Sequence, residues 1–260
     1  MRKLLISVLL AAIYLISDAQ NQTFEYKSFT AADGTEINYR LLQPGENAHG
    51  KKFPLIIFLH GLGERGTDNE KQLMWGGQMF LNPATQEKYP AYVLFPQCPE
   101  TAFWAYKDIP ASFRDMKAEE QMPAPFKAVK EMIDTYLTYP EIDRSRVYII
   151  GLSMGGMATF DMVSRFPDTF AAAVPICGAV DPSRLENVKG VSFRIFHGDA
   201  DITVPVECSR AAYRALRKAG VKVEYFEYPG CGHGSWNPAF SRDDFMEWLF
   251  KQKKERKYLK

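Results

Sequence analysis

Val147-Tyr148-Ile149-Ile150-Gly151-Leu152-Ser153-Met154-Gly155-Gly156 is the stretch on which the reading of this chain turns. Four β-prone residues run into Gly-x-Ser-x-Gly, and beyond it Ala158, Met162 and Phe166 recur at helical spacing until Pro167. The order is strand, sharp turn, helix, the setting that lifts a serine out of the backbone as a nucleophile. Such a turn brings backbone too close for side chains at 151 and 155 and forces the serine into strained dihedrals. The helix that begins at Met154 also points free N–H groups and its positive dipole end at an oxyanion forming beside Ser153.

Working outward, β-rich runs occur at Phe24 to Phe29, Glu36 to Leu42, Leu55 to Leu59, Tyr92 to Phe95, Val147 to Ile150, Ala172 to Ile176, Phe193 to Phe196 and Val223 to Tyr228. Several are apolar along their whole length, as parallel strands covered on both faces are. Helical spacing links Phe126, Val129, Ile133, Tyr136 and Leu137 before Pro140, and Ala211, Ala212, Ala215 and Leu216 before Gly220. A last helix is predicted to start with Ser241 and Asp244 as a capping box and to bury Phe245, Trp248 and Leu249. Two antiparallel-looking strands followed by repeated βαβ units predict a mixed, mostly parallel eight-stranded sheet with helices on both faces. No internal repeat or linker follows residue 20, so residues 20–260 read as one domain. Sites in such sheets lie beyond the carboxyl ends of the strands.

A serine nucleophile needs a base, and the base needs a carboxylate to hold its tautomer. Four histidines are available. His49 lies in a polar loop; His60 and His197 each end an apolar strand before a Gly and read as structural. His233, alone in Pro229-Gly230-Cys231-Gly232-His233-Gly234 after the last strand, is where a Ser, acid, His order puts the base. For the acid, Asp199 and Asp201 compete in His197-Gly198-Asp199-Ala200-Asp201. Chain order favours Asp201 only slightly.

Phe58-Leu59-His60-Gly61-Leu62-Gly63-Glu64-Arg65-Gly66, Pro96-Gln97-Cys98-Pro99, the Ser153 turn, His197 to Asp201 with Val204-Pro205, and Gly232-His233-Gly234-Ser235-Trp236 occur in this order. Together they resemble an α/β-hydrolase serine esterase of the carboxylesterase and feruloyl esterase type, close to the secreted "predicted peptidase" and dienelactone-hydrolase-like esterases. The likeness runs from about residue 24 to residue 250. It implies the α/β-hydrolase fold, with Ser153 as nucleophile, His233 as base and, from the second Asp of the His-Gly-Asp-x-Asp segment, Asp201 as acid. It further implies an oxyanion hole made by the backbone N–H groups of Leu62 and Met154, and no metal or organic cofactor.

Residues 63–90 and 99–123 are read as insertions standing over the nucleophile. Trp75 and Trp104 within them, and Trp236 beside the base, are candidate substrate contacts for a planar acyl group or a sugar. Cys208 and Cys231 flank the same rim and are a candidate disulfide, while Cys98 and Cys177 read as buried thiols. No Cys-x-x-Cys or paired His suggests a zinc site.

Composition fits an ordinary globular chain: 260 residues, 46% hydrophobic and 24% charged, with 32 basic and 31 acidic side chains. A net charge of +1 argues against a nucleic-acid partner. Arg2 and Lys3 before the apolar run Leu4 to Ile16 read as a signal peptide cut after Ala19. That run is well below the roughly 20 residues of a spanning helix, so no stable membrane insertion is expected once it is removed. The ten C-terminal residues hold six basic and one acidic side chain and read as a solvated end. The expected protein is an exported, periplasmic or extracellular serine esterase releasing feruloyl or acetyl groups from plant cell-wall polysaccharide. The alternatives are a peptidase or polyester depolymerase on the same fold, or a polysaccharide-binding protein that has kept the scaffold.

Overall fold

The computed structural model describes residues 23–45, 50–117 and 119–258. The predicted signal peptide, residues 1–19, lies outside the described residues. Eight strands form one sheet: β1 (Glu25–Thr30), β2 (Glu36–Leu42), β3 (Phe53–Leu59), β4 (Tyr92–Pro96), β5 (Ile142–Leu152), β6 (Ala172–Ile176), β7 (Ser192–Gly198) and β8 (Val223–Tyr228), in the order β1-β2-β4-β3-β5-β6-β7-β8. The β1/β2 and β2/β4 pairs are antiparallel and the remaining pairs parallel.

The wholly apolar β3 is buried on both faces, and its alternate residues feed two separate cores. Leu55, Ile57 and Leu59 join Val147 and Ile149 under α3 (Ala124–Tyr136), α4 (Met154–Arg165) and α5 (Glu207–Lys218). Ile56 and Phe58 join Tyr148 and Ile150 on the opposite face, with residues of α6 (Trp236–Phe240) and α7 (Phe245–Lys251). Two short helices, α1 (Gly77–Leu81) and α2 (Pro83–Lys88), lie between β3 and β4. Truncating one of these fully buried isoleucines to alanine costs about 2–5 kcal/mol.

Two local expectations fail. Ser241 closes α6 by donating to the Asn237 carbonyl, and Asp244 makes no side-chain cap. Its carboxylate accepts from Arg242 and from Arg194, a buried guanidinium on β7 that gives one edge to Glu224 and the other to Asp244. The basic end is not uniformly solvated either. Lys254 is 2% exposed, and its Nζ donates to the Pro167 and Phe170 carbonyls at 2.5 and 2.8 Å, closing the turn after α4. Burial pushes its amine down to about 8.

Candidate active site

Ser153 stands between β5 and α4 with φ 53° and ψ −117°, its N–H bonded to the Ile176 carbonyl at 2.9 Å. A left-handed φ on a non-glycine residue costs roughly 1–3 kcal/mol, and the surroundings enforce it. A Cβ on Gly155 would lie 1.9 Å from the Leu59 carbonyl oxygen, and one on Gly151 would lie 2.2 Å from that of Gly155. Both glycines are thus sites of backbone contact, and the serine is pushed outward.

The loop after β8 carries His233 to it. His233 Nε2 is 2.8 Å from Ser153 Oγ, and Nδ1 is 2.7 Å from Asp201 Oδ2. A carboxylate accepts only, so Nδ1 bears the proton and Nε2 is left to accept from the serine hydroxyl. Asp201 is itself fixed: Oδ1 accepts from the Thr203 and Val204 N–H groups, each at 2.9 Å, and Oδ2 also lies 3.2 Å from His197 Nε2. Burial would raise its pKa, but His197, His233 and the Val204 amide outweigh it and hold the carboxyl far below the usual range.

Asp199 has a different task. Its Oδ1 accepts from the Gly230 N–H at 2.6 Å, tying the β7 loop to the base loop. Backbone contacts complete that tie. Ala200 N donates to the Cys231 carbonyl at 3.0 Å, and a Cβ on Gly198 would meet that same oxygen at 2.2 Å. The candidate Cys208–Cys231 disulfide is not formed, and all four cysteines are free thiols. Cys208 turns into the core from α5, where burial pushes its thiol up to about 11, whereas the Cys231 sulfur faces the Gly232 carbonyl. The base loop is held by a carboxylate and by amides, with no need of a disulfide.

On the other side of the serine, β3 ends in His60-Gly61, and Leu62 opens a single turn, Leu62–Glu64. Leu62 and Met154 are each the first residue of a helical segment, so neither N–H has an acceptor within its own turn. His60 braces this turn: Nε2 accepts from the Cys98 N–H at 2.9 Å and Nδ1 donates to the Gly61 carbonyl at 2.6 Å. Burial lowers its pKa to about 4, so the ring stays neutral.

The three tryptophans divide. Trp104 is fully buried; its Nε1 donates to the His60 carbonyl at 3.2 Å and its ring packs on His60 and Phe126. It supports the strand from behind and is not a substrate contact, because an indole with its N–H in reach of a strand-end carbonyl is drawn into the core. Trp75 and Trp236 remain half-buried beside the site, with ring centroids 5.4 Å apart, and Trp236 stands edge-on to His233 at 5.5 Å. Sequence reading gave no role to Glu64 or to the carboxylate contact of His197. Both stood in quoted motifs, but side-chain direction within a loop has no periodic signal.

Among the described residues one trio, Cys177, Asp201 and His233, could offer ligands to a metal, their donor atoms lying within 4.8 Å of one another. His233 and Asp201 already hold each other, and burial drives the Cys177 thiol far from the thiolate a metal takes. Among the described residues no helix is long and apolar enough to cross a membrane.

A strained serine at a strand-to-helix turn, a histidine from the last βα loop and a carboxylate from the loop before it define an α/β-hydrolase site. The chain belongs to the phospholipase/carboxylesterase family, which residues 46–242 match, and it is a serine hydrolase of carboxylesterase type. It is similar to a probable carboxylesterase, SOBER1-like, of Arabidopsis thaliana: 29% identical over 200 residues, covering 70% of this chain and 73% of that one. A thermostable esterase of known crystal structure is 39% identical, with a TM-score of 0.81 over 89% of this chain; this chain spans 63% of that esterase's length. A CE1 ferulic acid esterase from Anaeromyces mucronatus shares the fold at 16% identity, with a TM-score of 0.63 over 91% of this chain and 92% of its own.

Proposed function

We propose that Ser153, His233 and Asp201 cleave carboxylic esters through an acyl-enzyme, and that the exported protein releases feruloyl or acetyl groups from plant cell-wall polysaccharide. The observation that carries the reading is the unbroken series Ser153 Oγ, His233 Nε2, His233 Nδ1 and Asp201 Oδ2, at 2.8 and 2.7 Å. His233 takes the Ser153 proton as Oγ attacks the ester carbonyl, and the Leu62 and Met154 N–H groups receive the oxyanion. His233 then gives that proton to the leaving alkoxide, and the C–O bond breaks to leave the acyl group on Ser153. Water, deprotonated by His233, attacks the acyl carbonyl and releases the acid, returning the proton to Ser153.

The Trp75–Trp236 pair favours a planar acyl group, since an aromatic face gains from offset or edge contact with a second ring and an acetyl group has none to offer. Arg2 and Lys3 before the run Leu4 to Ile16 support export. The test is a panel of methyl ferulate, p-nitrophenyl acetate, a prolyl peptide and an aliphatic polyester, assayed with the parent and with Ser153→Ala. Ester hydrolysis with the highest kcat/KM on methyl ferulate, abolished in the variant, is expected. Peptide cleavage without ester cleavage would transfer the reading to a peptidase. Polysaccharide binding without hydrolysis would reduce the scaffold to a binding protein. An N-terminus at Gln20 in the exported protein is the matching result for localisation.

A further inference from the structure

The segment Gly61-Leu62-Gly63-Glu64-Arg65 carries two opposite charges that do not pair with each other but reach in different directions. Arg65 donates to the Leu62, Glu100 and Ala102 carbonyls, at 3.2, 2.8 and 3.0 Å, and covers Phe103. Glu64 turns inward and is 7% exposed. Its Oε1 accepts from Trp75 Nε1 at 3.1 Å. Its Oε2 lies against the turn beside the nucleophile, for a Cβ on Gly61 would sit 3.0 Å from that oxygen and 3.6 Å from Ser153 Cβ. Burial raises the Glu64 pKa, opposed by the Trp75 indole and by the N–H groups of Gly61 and of Glu64 itself. A buried carboxylate held by an indole N–H, with no ion pair to it among the described residues, is a costly choice for packing alone.

The contacts continue from Trp75 to Trp236 and from Trp236 to His233. We infer that Glu64 is a positioning residue for ester cleavage: one oxygen fixes the turn that presents the Leu62 N–H, and the other fixes Trp75, which through Trp236 sets the edge of the His233 ring. The inference rests on the reading of Ser153, His233 and Asp201 as the acyl-transfer machinery. A carboxylate suits the place because it is acceptor-only: Oε1 takes the Trp75 indole N–H and Oε2 lies against the Gly61 turn. Glutamine has the same shape but turns an NH2 group towards either the indole N–H or the Gly61 turn, so one contact must open.

The experiment compares parent, Glu64→Gln and Trp75→Phe on p-nitrophenyl acetate, with active sites counted by a fluorophosphonate and with inhibition by a boronic acid as tetrahedral analogue. Per active site, kcat of Glu64→Gln is expected to fall about tenfold to a hundredfold with KM held within about twofold, as loss of transition-state positioning requires. The boronic acid should weaken by the factor lost in kcat/KM. Trp75→Phe keeps an aromatic ring beside Trp236 but removes the donor and the pyrrole half of the indole, so a fall of about threefold to tenfold is expected. A parental kcat per active site in Glu64→Gln would overturn the inference. So would a lower count of active sites with unchanged boronic-acid affinity, which marks loss of folding alone. Should Glu64→Gln not fold, parental kcat in Trp75→Phe overturns it. A parent that hydrolyses no ester would refute the functional reading instead.

Discussion

Asp199 and Asp201, two residues apart in one loop, hold different partners: Asp201 Oδ2 takes His233 Nδ1 at 2.7 Å, while Asp199 Oδ1 takes the Gly230 N–H at 2.6 Å. One orients the base and the other ties down the loop that carries it. Asp201→Asn should therefore lower kcat by about 10⁴, through the wrong imidazole tautomer. Asp199→Asn keeps an acceptor oxygen for Gly230 and should cost at most about tenfold. Steady-state kinetics of the two variants on one ester separate them, and equal losses would contradict the division.

His60 makes stability depend on pH. Its folded-state pKa, about 4 against an ordinary 6.5, means that the unfolded chain binds the extra proton between those values. Stability from this residue is thus full above pH 6.5 and lost as pH falls towards 4, about 3 kcal/mol in all. Urea unfolding of the parent and of His60→Asn across that window should give a difference that shrinks on acidification. A difference independent of pH would show that His60 is not held neutral by the fold.

The cysteines give a prediction opposite to the one that the shared rim of Cys208 and Cys231 suggests. Denatured protein alkylated without reductant should gain four adducts, the same as with reductant. Cys231→Ser should leave Tm unchanged. Two adducts missing without reductant would restore the bridge.

Trp104→Phe should destabilise the fold by about 2–3 kcal/mol, from the lost bond to the His60 carbonyl and the void left in the core. KM should stay the same for acetyl and feruloyl esters alike. A selective rise in KM for feruloyl esters in a protein of parental stability would return Trp104 to the substrate wall.

The meeting of Ser153, His233 and Asp201 was legible because each lies in a segment that combines a strand end, a glycine and a reactive residue in fixed chain order. Gly155 is required because a Cβ there would lie 1.9 Å from the Leu59 carbonyl oxygen, a constraint that sequence registers directly. Chain order favoured Asp201 over Asp199 only slightly, and the choice came from the family resemblance, since both follow Gly198 and only the turn geometry sends one to His233. Trp104 and Cys208 were misread for a common reason. An apolar side chain in a loop insertion, as at Trp104, or in the first turn of a helix, as at Cys208, can face the site or the core, and no periodicity distinguishes the two. Likewise Ser241 and Asp244 have capping-box spacing, but the buried Arg194 competes for the same carboxylate and wins it.

If Ser153 is the nucleophile, activated by His233 and Asp201, it carries the acyl group between the two half-reactions. Parent protein mixed with a p-nitrophenyl ester, quenched in acid and digested, should carry the acyl mass on the peptide containing Ser153, with an optical burst proportional to enzyme. Ser153→Ala should show neither. An acyl adduct on another residue, or parental turnover in Ser153→Ala, would contradict the account.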